Sequence, residues 1–248
     1  MSIFLRFGMP IFLVSPIILL SLCIFLASQG VWGPLPDFQE LENPETNLAT
    51  EIVSSDGEVL GKYFYENRTH VEYDELSSHL VNALIATEDE RFFRHSGIDF
   101  IALFRVLRGV LTGNTRLGGG STITQQLAKM FFSKRPSSKI ERVQQKFKEW
   151  IIALRIERKY SKQEIITMYL NRFDFLNLAV GIKSASKIYF NTTPKDLNIE
   201  QAATLVGMAK NPSLYNPLRR LEKTTVRRNI VFSQMQRNNF LSKGQKDS

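Results

Sequence analysis

Residues Phe7 to Ala27 form a run of 21 residues without a charge. As a helix rising about 1.5 Å per residue, the run reaches roughly 31 Å, the thickness of a bilayer's hydrocarbon core. Pro10 and Pro16 lie within it, and a membrane helix tolerates both. Arg6 precedes the run; Asp37, Glu40, Glu42, Glu45 and Glu51 follow it, with no Lys or Arg before Lys62. The positive-inside rule then keeps the N-terminus in the cytoplasm and puts the rest of the chain on the outer side. The length of the run and the lack of a clear A-x-A site favour a retained anchor over a cleaved signal peptide.

The 248 residues suffice for one large domain or two small ones with a sizeable core. A charged fraction of 23% and aromatics at 11% exclude a mostly disordered chain. The single Cys excludes a disulfide framework and a Cys-based zinc site, and three scattered His (His70, His79, His95) argue against a His-rich metal centre. The net charge of +8 points to a polyanionic partner: nucleic acid, anionic lipid or a phosphorylated substrate.

Composition divides the chain into an anchor (1–29), a linker (30–49), a main domain (50–240) and a short tail (241–248). The linker carries Pro34, Pro36 and Pro44 among several acids. Thr50–Val53, Val59–Tyr65 and Thr69–Tyr73 read as strands, with Ser55-Asp56-Gly57 as the first turn. Such a sheet is too small to fold alone. From Asp74 onward the pattern is helical. Asp74 is the expected cap of a helix bearing Leu76, Leu80, Ala83 and Leu84. Further helices are expected over Ile98–Leu111, Thr122–Phe132, Lys139–Tyr160, from the Ser161–Glu164 capping box to about Asn171, from Thr193-Pro194, from Asn198 to Met208, and over Leu221–Asn239. The fold class is therefore mainly α, preceded by a transmembrane helix and a small β element.

Two segments suit chemistry better than architecture. Glu88-Asp89-Glu90-Arg91-Phe92-Phe93-Arg94-His95-Ser96-Gly97 mixes acids with aromatics after an apolar helix. Read blandly, it is a solvated helix end. Gly118-Gly119-Gly120-Ser121-Thr122-Ile123-Thr124-Gln125-Gln126-Leu127-Ala128-Lys129 frees the backbone to approach a ligand, and Ser121 opens a helix whose amides can face an anion. The bland alternative is a flexible helix start. The segment lacks the G-K-[ST] ending of a phosphate-binding loop, so nucleotide hydrolysis is not expected.

Together these segments resemble the peptidoglycan glycosyltransferase family (family 51), the polymerase domain of class A penicillin-binding proteins and of monofunctional transglycosylases. Five blocks stand in the family's order over about residues 50–240. Glu88-Asp89-x-x-Phe92-x-x-His95-x-Gly97 and Gly119-Gly120-Ser121-Thr122-Ile123-Thr124-Gln125-Gln126 with Lys129 fit fully. Gln145-Lys146-x-x-Glu149 lacks the usual leading Arg. Gly181-x-x-x-Ala185-Ser186-x-x-Tyr189-Phe190 has Ser for a usual Ala. The last runs from Glu200-Gln201-Ala202-Ala203 through Asn211-Pro212-Ser213 to Tyr215-Asn216-Pro217. One block alone is a weak signal; five in sequence are specific.

The resemblance implies a mostly helical fold with a lysozyme-like large lobe and a small membrane-facing lobe. It also implies an inverting reaction in which lipid II is polymerised into β-1,4 glycan strands and undecaprenyl pyrophosphate leaves. A sugar hydroxyl is a poor nucleophile near neutral pH and needs a general base; by resemblance that base is Glu88. A carboxylate beside Phe92 and other apolar groups has its pKa raised unless nearby Lys and Arg oppose this. Glu149 is the family's second essential carboxylate, and as a helix pair Lys146 and Glu149 share a face. The leaving diphosphate needs cations, matched by Lys129 and Lys146. Asp89, Ser121, Gln125 and Gln126 are implied substrate contacts, and His95 a brace of the first block. For the charge of the Arg missing at 145, Arg142, Arg135 and Lys139 are the candidate sources; for the family's other Arg, between the second and third blocks, Arg135 is the chosen position. No cofactor is required by the resemblance, with a divalent cation (Mg or Mn) at the pyrophosphate as the one candidate. Implied partners are lipid II, the growing glycan strand, the membrane and cell-wall synthesis proteins; nucleic acid is not among them.

The Ile98–Leu111 helix, with Arg105 and Arg108 among apolar residues, belongs by resemblance to the membrane-facing lobe; periodicity alone equally allows a buried core helix. Penicillin binding is not expected. Ser184-Ala185-Ser186-Lys187 matches S-x-x-K only inside the fourth block, no S-x-N occurs, and Lys223-Thr224-Thr225 is not K-T-G. The expectation is a truncated bifunctional protein, a fragment, or an unusual monofunctional enzyme. Two other readings stay open on sequence: a lysozyme-like glycan-cleaving enzyme and an inactive membrane-anchored scaffold.

Overall fold

The computed structural model describes residues 9–35, 50–54, 59–63, 70–113, 119–131 and 136–242. Helix α1 spans Met9–Ser28, and strands β1 (Thr50–Val53) and β2 (Val59–Tyr63) pair antiparallel with an irregularity at Ile52/Val53. Eight α-helices follow among the described residues: α2 Ser78–Glu88, α3 Phe100–Leu111, α4 Ile123–Lys129, α5 Lys139–Lys159, α6 Lys162–Arg172, α7 Ile182–Phe190, α8 Ile199–Ala209 and α9 Leu221–Arg237. The chain is mainly helical.

The core forms around α8. Every residue from Ala202 to Met208 is buried, and a helix apolar all round belongs in an interior. Helix α2 packs on one side of it with Leu80, Ala83 and Leu84, and α9 packs against both with Val231 and Met235. Burying each such Leu stabilises the fold by roughly 1.5–3 kcal/mol before the entropy of ordering it. A second layer sets α4 between α5 and α6.

Local chemistry fixes the helix starts. Asp99, Thr122, Ser138, Ser161 and Asn198 each accept a backbone N–H from the first turn they cap. The Ser161–Glu164 capping box forms as expected, and Asn198–Gln201 makes another. Four expectations need correction. Ser77, not Asp74, caps α2, because Asp74 lies in a 3-10 turn closed by Glu72 and Glu75. Thr193-Pro194 starts no helix: Thr193 Oγ1 bonds the Asp196 carboxylate at 2.6 Å and closes a turn. Residues 70–72 add no third strand. Leu241, assigned to the tail, is buried in the core at 5% exposure. The turn Ser55-Asp56-Gly57 and Phe132 lie outside the described residues.

Helix α7 carried no helical signature in sequence, yet it forms from the fourth block. Gly181 stands at its start with φ +81°, and a Cβ there would meet the Asn171 carbonyl oxygen at 2.7 Å. Only glycine fits.

At the other end, Trp32 packs on Phe147 of α5 with ring centroids 6.0 Å apart, and Phe147 packs edge-on against Trp150. The first residues of the expected linker are thus docked on α5. Side chains of α1 are described at Ser15 and from Ile18 onward; Ile18, Leu19, Leu22 and Phe25 are exposed. Among the described residues no helix is long and apolar enough to cross a membrane. Helix α3 turns Phe100, Ile101, Phe104, Leu107, Val110 and Leu111 outward and buries only Ala102 and Gly109. It is therefore not the core helix that periodicity allowed.

Gly181→Ala is expected to cost about 2 kcal/mol or more of stability, from a disallowed φ and a backbone clash. Gly119→Ala, which would meet nothing within 4 Å, should leave stability unchanged. Denaturant melts of the two variants check this.

Candidate active site

Glu88 is the last residue of α2. The helix stops because Asp89 leaves helical geometry (φ −160°, ψ 75°) while its N–H still bonds Ile85 O. The Glu88 side chain, 15% exposed, therefore projects from a helix end into a cleft of about 560 Å³. Gly119, Gly120, Ser121 and Gln126 line the same cleft, as do Arg105 and Arg237. Gln126 Nε2 donates to Glu88 Oε2 at 2.9 Å. The buried Arg227 guanidinium lies 3.7 Å from Glu88 Oε1.

Asp89 turns the other way. His95 Nε2 sits 3.0 Å from both its oxygens, and Ile123 N–H donates to its Oδ2 at 3.0 Å. This buried carboxylate clamps the first block to the first turn of α4. Asp89 also lines the cleft, and its oxygens, engaged by His95 and Ile123, give it a structural role there. His95 braces the block as expected. Gly97 adds a second tie: its carbonyl accepts from Thr122 Oγ1 at 2.7 Å and from Gln125 Nε2 at 3.1 Å. Gly97 itself has φ +89°, and a Cβ would press on the Ala153 backbone at 3.0 Å. Gln125 is 1% exposed and its amide N–H tie to Gly97 gives it a structural role. Two of the amides expected to face an anion are engaged within the protein: Ile123 N–H by Asp89 and Gln125 N–H by Thr122. Thr122, rather than Ser121, caps the helix.

A second group gathers around Glu149, which is 1% exposed. Arg142 Nη1 donates to one of its oxygens at 2.7 Å, and Lys146 Nζ to the other at 3.1 Å. Lys146 also donates to Ser121 Oγ at 2.9 Å, which joins this group to the cleft wall. Burial lowers the Lys146 pKa below the ordinary lysine range, and the charges of Arg142 and Lys129 push the same way; Glu149 opposes them. Lys129 closes α4 and is exposed. Arg142 thus supplies beside Glu149 a guanidinium that Gln145 cannot. Arg135 lies outside the described residues.

A divalent cation has no evident seat here. Glu149 is the one anion of the group and both its oxygens are engaged. Among the described residues no three His, Cys, Asp or Glu side chains converge. Among the described residues the side chains around Glu149 form no ready-made metal cage.

Sequence reasoning missed Tyr169 and Arg227. Tyr169 sits on the apolar face of α6 and reads as core. Arg227 sits in none of the five blocks. No pattern distinguishes it from the other basic residues of α9, yet it is 6% exposed.

The cleft is lined by Glu88, Asp89, Glu90 and Asp99, and its wall at Ser121 is bonded to the Lys146–Glu149–Arg142 cluster. The sequence profile of the transglycosylase family matches residues 56–236, and the chain belongs to that family. It is 35% identical over 238 residues to penicillin-binding protein 1A of Escherichia coli (strain K12), a match covering 93% of this chain and 28% of that protein. It is 44% identical over 177 residues to penicillin-binding protein 2a of Streptococcus pneumoniae (strain D39 / NCTC 7466), covering 71% of this chain and 23% of that protein. Among solved structures, penicillin-binding protein 1A from Haemophilus influenzae matches at 22% identity and TM-score 0.45, covering 79% of this chain and 19% of that one. The chain spans under a third of the length of these proteins.

The Lys146 amine is expected to titrate below the ordinary lysine range in heteronuclear NMR. In Glu149→Gln the anion that holds its proton is gone, so its pKa should fall further. A rise would contradict the arrangement.

Proposed function

We propose that the chain polymerises lipid II, with Glu88 as general base. The acceptor's GlcNAc 4-hydroxyl gives its proton to Glu88 and attacks the anomeric carbon of the donor's lipid-linked MurNAc. The bond from that carbon to the diphosphate oxygen breaks, undecaprenyl pyrophosphate departs, and the α-linkage becomes β. This is an inverting hexosyl transfer.

One observation carries the reading. A carboxylate at a helix end faces a cleft whose wall, at Ser121, is bonded to a Lys146–Glu149–Arg142 cluster. A base and a cationic site are what the two ends of the breaking and forming bonds require. Lys146, Arg142 and Lys129 receive the charge that grows on the leaving diphosphate. Glu149 holds two of these cations in place rather than moving a proton, since it is buried and doubly bonded. Ser121 and Gln126 are at the cleft surface to meet donor sugar or phosphate, and Arg135 remains a proposed contact.

The lipid-linked substrate also gives sense to the outward apolar faces. Helix α3 and the exposed residues of α1 are proposed to lie in the outer part of a bacterial plasma membrane. In this arrangement the whole uncharged run Phe7–Ala27, which begins before the described part of α1, is the single-pass anchor, α3 belongs to a small membrane-facing lobe, and the lysozyme-like helical lobe lies on the periplasmic or extracellular side. The substrate's tail then stays in lipid while its head reaches Glu88.

Glu88→Gln should lower lipid II turnover at least about 100-fold, the scale of a lost general base. Its melting temperature should match the parent's. Glycan strands resolved on a gel report turnover. Near-parental activity in the folded variant would remove Glu88 from the role.

A further inference from the structure

Tyr169 is a buried titratable group that the reaction above does not use. It is 1% exposed and its ring packs on Phe173 at 5.7 Å. Its hydroxyl donates to Gln126 Oε1 at 3.2 Å, and the same amide donates from Nε2 to Glu88 Oε2 at 2.9 Å. A glutamine amide has nearly the same shape either way round, so the cleft alone does not choose between its two orientations. Flipped, it would set its carbonyl oxygen against the Glu88 carboxylate, two acceptors face to face.

Resting on the reading of Glu88 as the base, we infer that Tyr169 is a positioning residue: its hydroxyl fixes the Gln126 amide so that an N–H is held on the carboxylate. Burial, and then the charge of Glu88, raise the phenol's pKa well above its usual value, so the donating proton stays in place at any working pH. No substrate reaches Tyr169, so it acts only through Gln126. An N–H donated to a carboxylate favours its charged form. The relay therefore keeps an N–H on the Glu88 carboxylate and holds that carboxylate aimed into the cleft.

Other charged groups near Glu88 are constant across the comparison. Helix α9 presents Arg227 and Arg237, and α3 presents Arg105 with its cap Asp99. Asp89 and Glu90 follow on the chain, Asp89 held by His95 and Glu90 by Arg105 and Arg237. Helix α4 has only Lys129, at its far end. Helix α8 turns no titratable side chain inward.

The test uses the full chain with lipid II. In Tyr169→Phe the ring remains and only the hydroxyl goes. The kcat should fall roughly 5- to 30-fold with KM within about twofold. The acid limb of the kcat–pH profile should move up by roughly a few tenths to one pH unit, because the charged form of Glu88 loses support. Gln126→Leu should move the limb the same way and at least as far. A folded Tyr169→Phe with the parent's kcat and acid limb overturns the inference. So does one that melts lower but keeps both values per folded molecule, since the role is then structural. Should Tyr169→Phe not fold, Tyr169→Met, which also removes the hydroxyl, is read the same way: a raised limb supports the relay and an unmoved limb overturns it. Glu88→Gln is run alongside. If it is active, the base assignment fails and the relay with it; if it is dead and Tyr169→Phe is normal, only the relay fails.

Discussion

The Asp89 carboxylate is the contact on which the rest of the site depends. Two oxygens meet His95 and the Ile123 N–H, all in the interior. A buried carboxylate without those partners would be costly to charge, so the two segments are held together or the fold is lost. The clamp joins the end of α2 to the start of α4. Glu88 precedes Asp89 by one residue, and Gln126 follows Ile123 by one helical turn. Fixing the Asp89–Ile123 pair therefore fixes the Glu88–Gln126 pair. Adjacent acids in the sequence divide the work: the Asp89 carboxylate is spent on holding His95 and Ile123, while Glu88 projects from the helix end into the cleft.

The cation cluster obeys a similar economy. Glu149 is too buried to stand alone as an anion and is stabilised by two cations from its own helix, Lys146 one turn ahead and Arg142 two turns ahead. Two positive charges against one leave a net positive wall beside Ser121. Burial makes the Lys146 amine easier to deprotonate, and Glu149 counters that. In the proposed reaction this cluster meets the diphosphate while Glu88 meets the hydroxyl, so proton removal and charge uptake occur at different parts of one cleft. In the same proposal, the outward apolar side of α3 suits a substrate that stays tethered in lipid.

Much of this was legible before the structure. The helices with a polar cap and an apolar stripe, such as Lys139–Lys159 and Ile199–Ala209, fall within a residue or two of expectation. Glu88, Gln126, Lys146 and Glu149 come from blocks more than thirty residues apart in places, and only their pattern pointed to a shared site. What the sequence hid was direction. Asp89 and Gln125 sit in the same blocks as Glu88 and Gln126, and spacing alone does not say which side chains turn inward. Helix α7 escaped because its start is a glycine conformation without a capping side chain. Arg142 and Gln145 lie one turn apart on one helix, so a guanidinium from either position can reach the same region, and a motif keyed to fixed spacing overlooks that. Tyr169 is indistinguishable from core by periodicity until its hydroxyl partner is known.

The central claim is that Glu88 accepts a proton during one direct displacement at the anomeric carbon. The configuration of the new linkage reports on it without any mutation. Proton NMR of glycan made from lipid II, whose donor sugar is α-linked, is predicted to show a β-anomeric signal at each new bond. An α-anomeric product would mean two displacements or none of this kind, and would contradict the account.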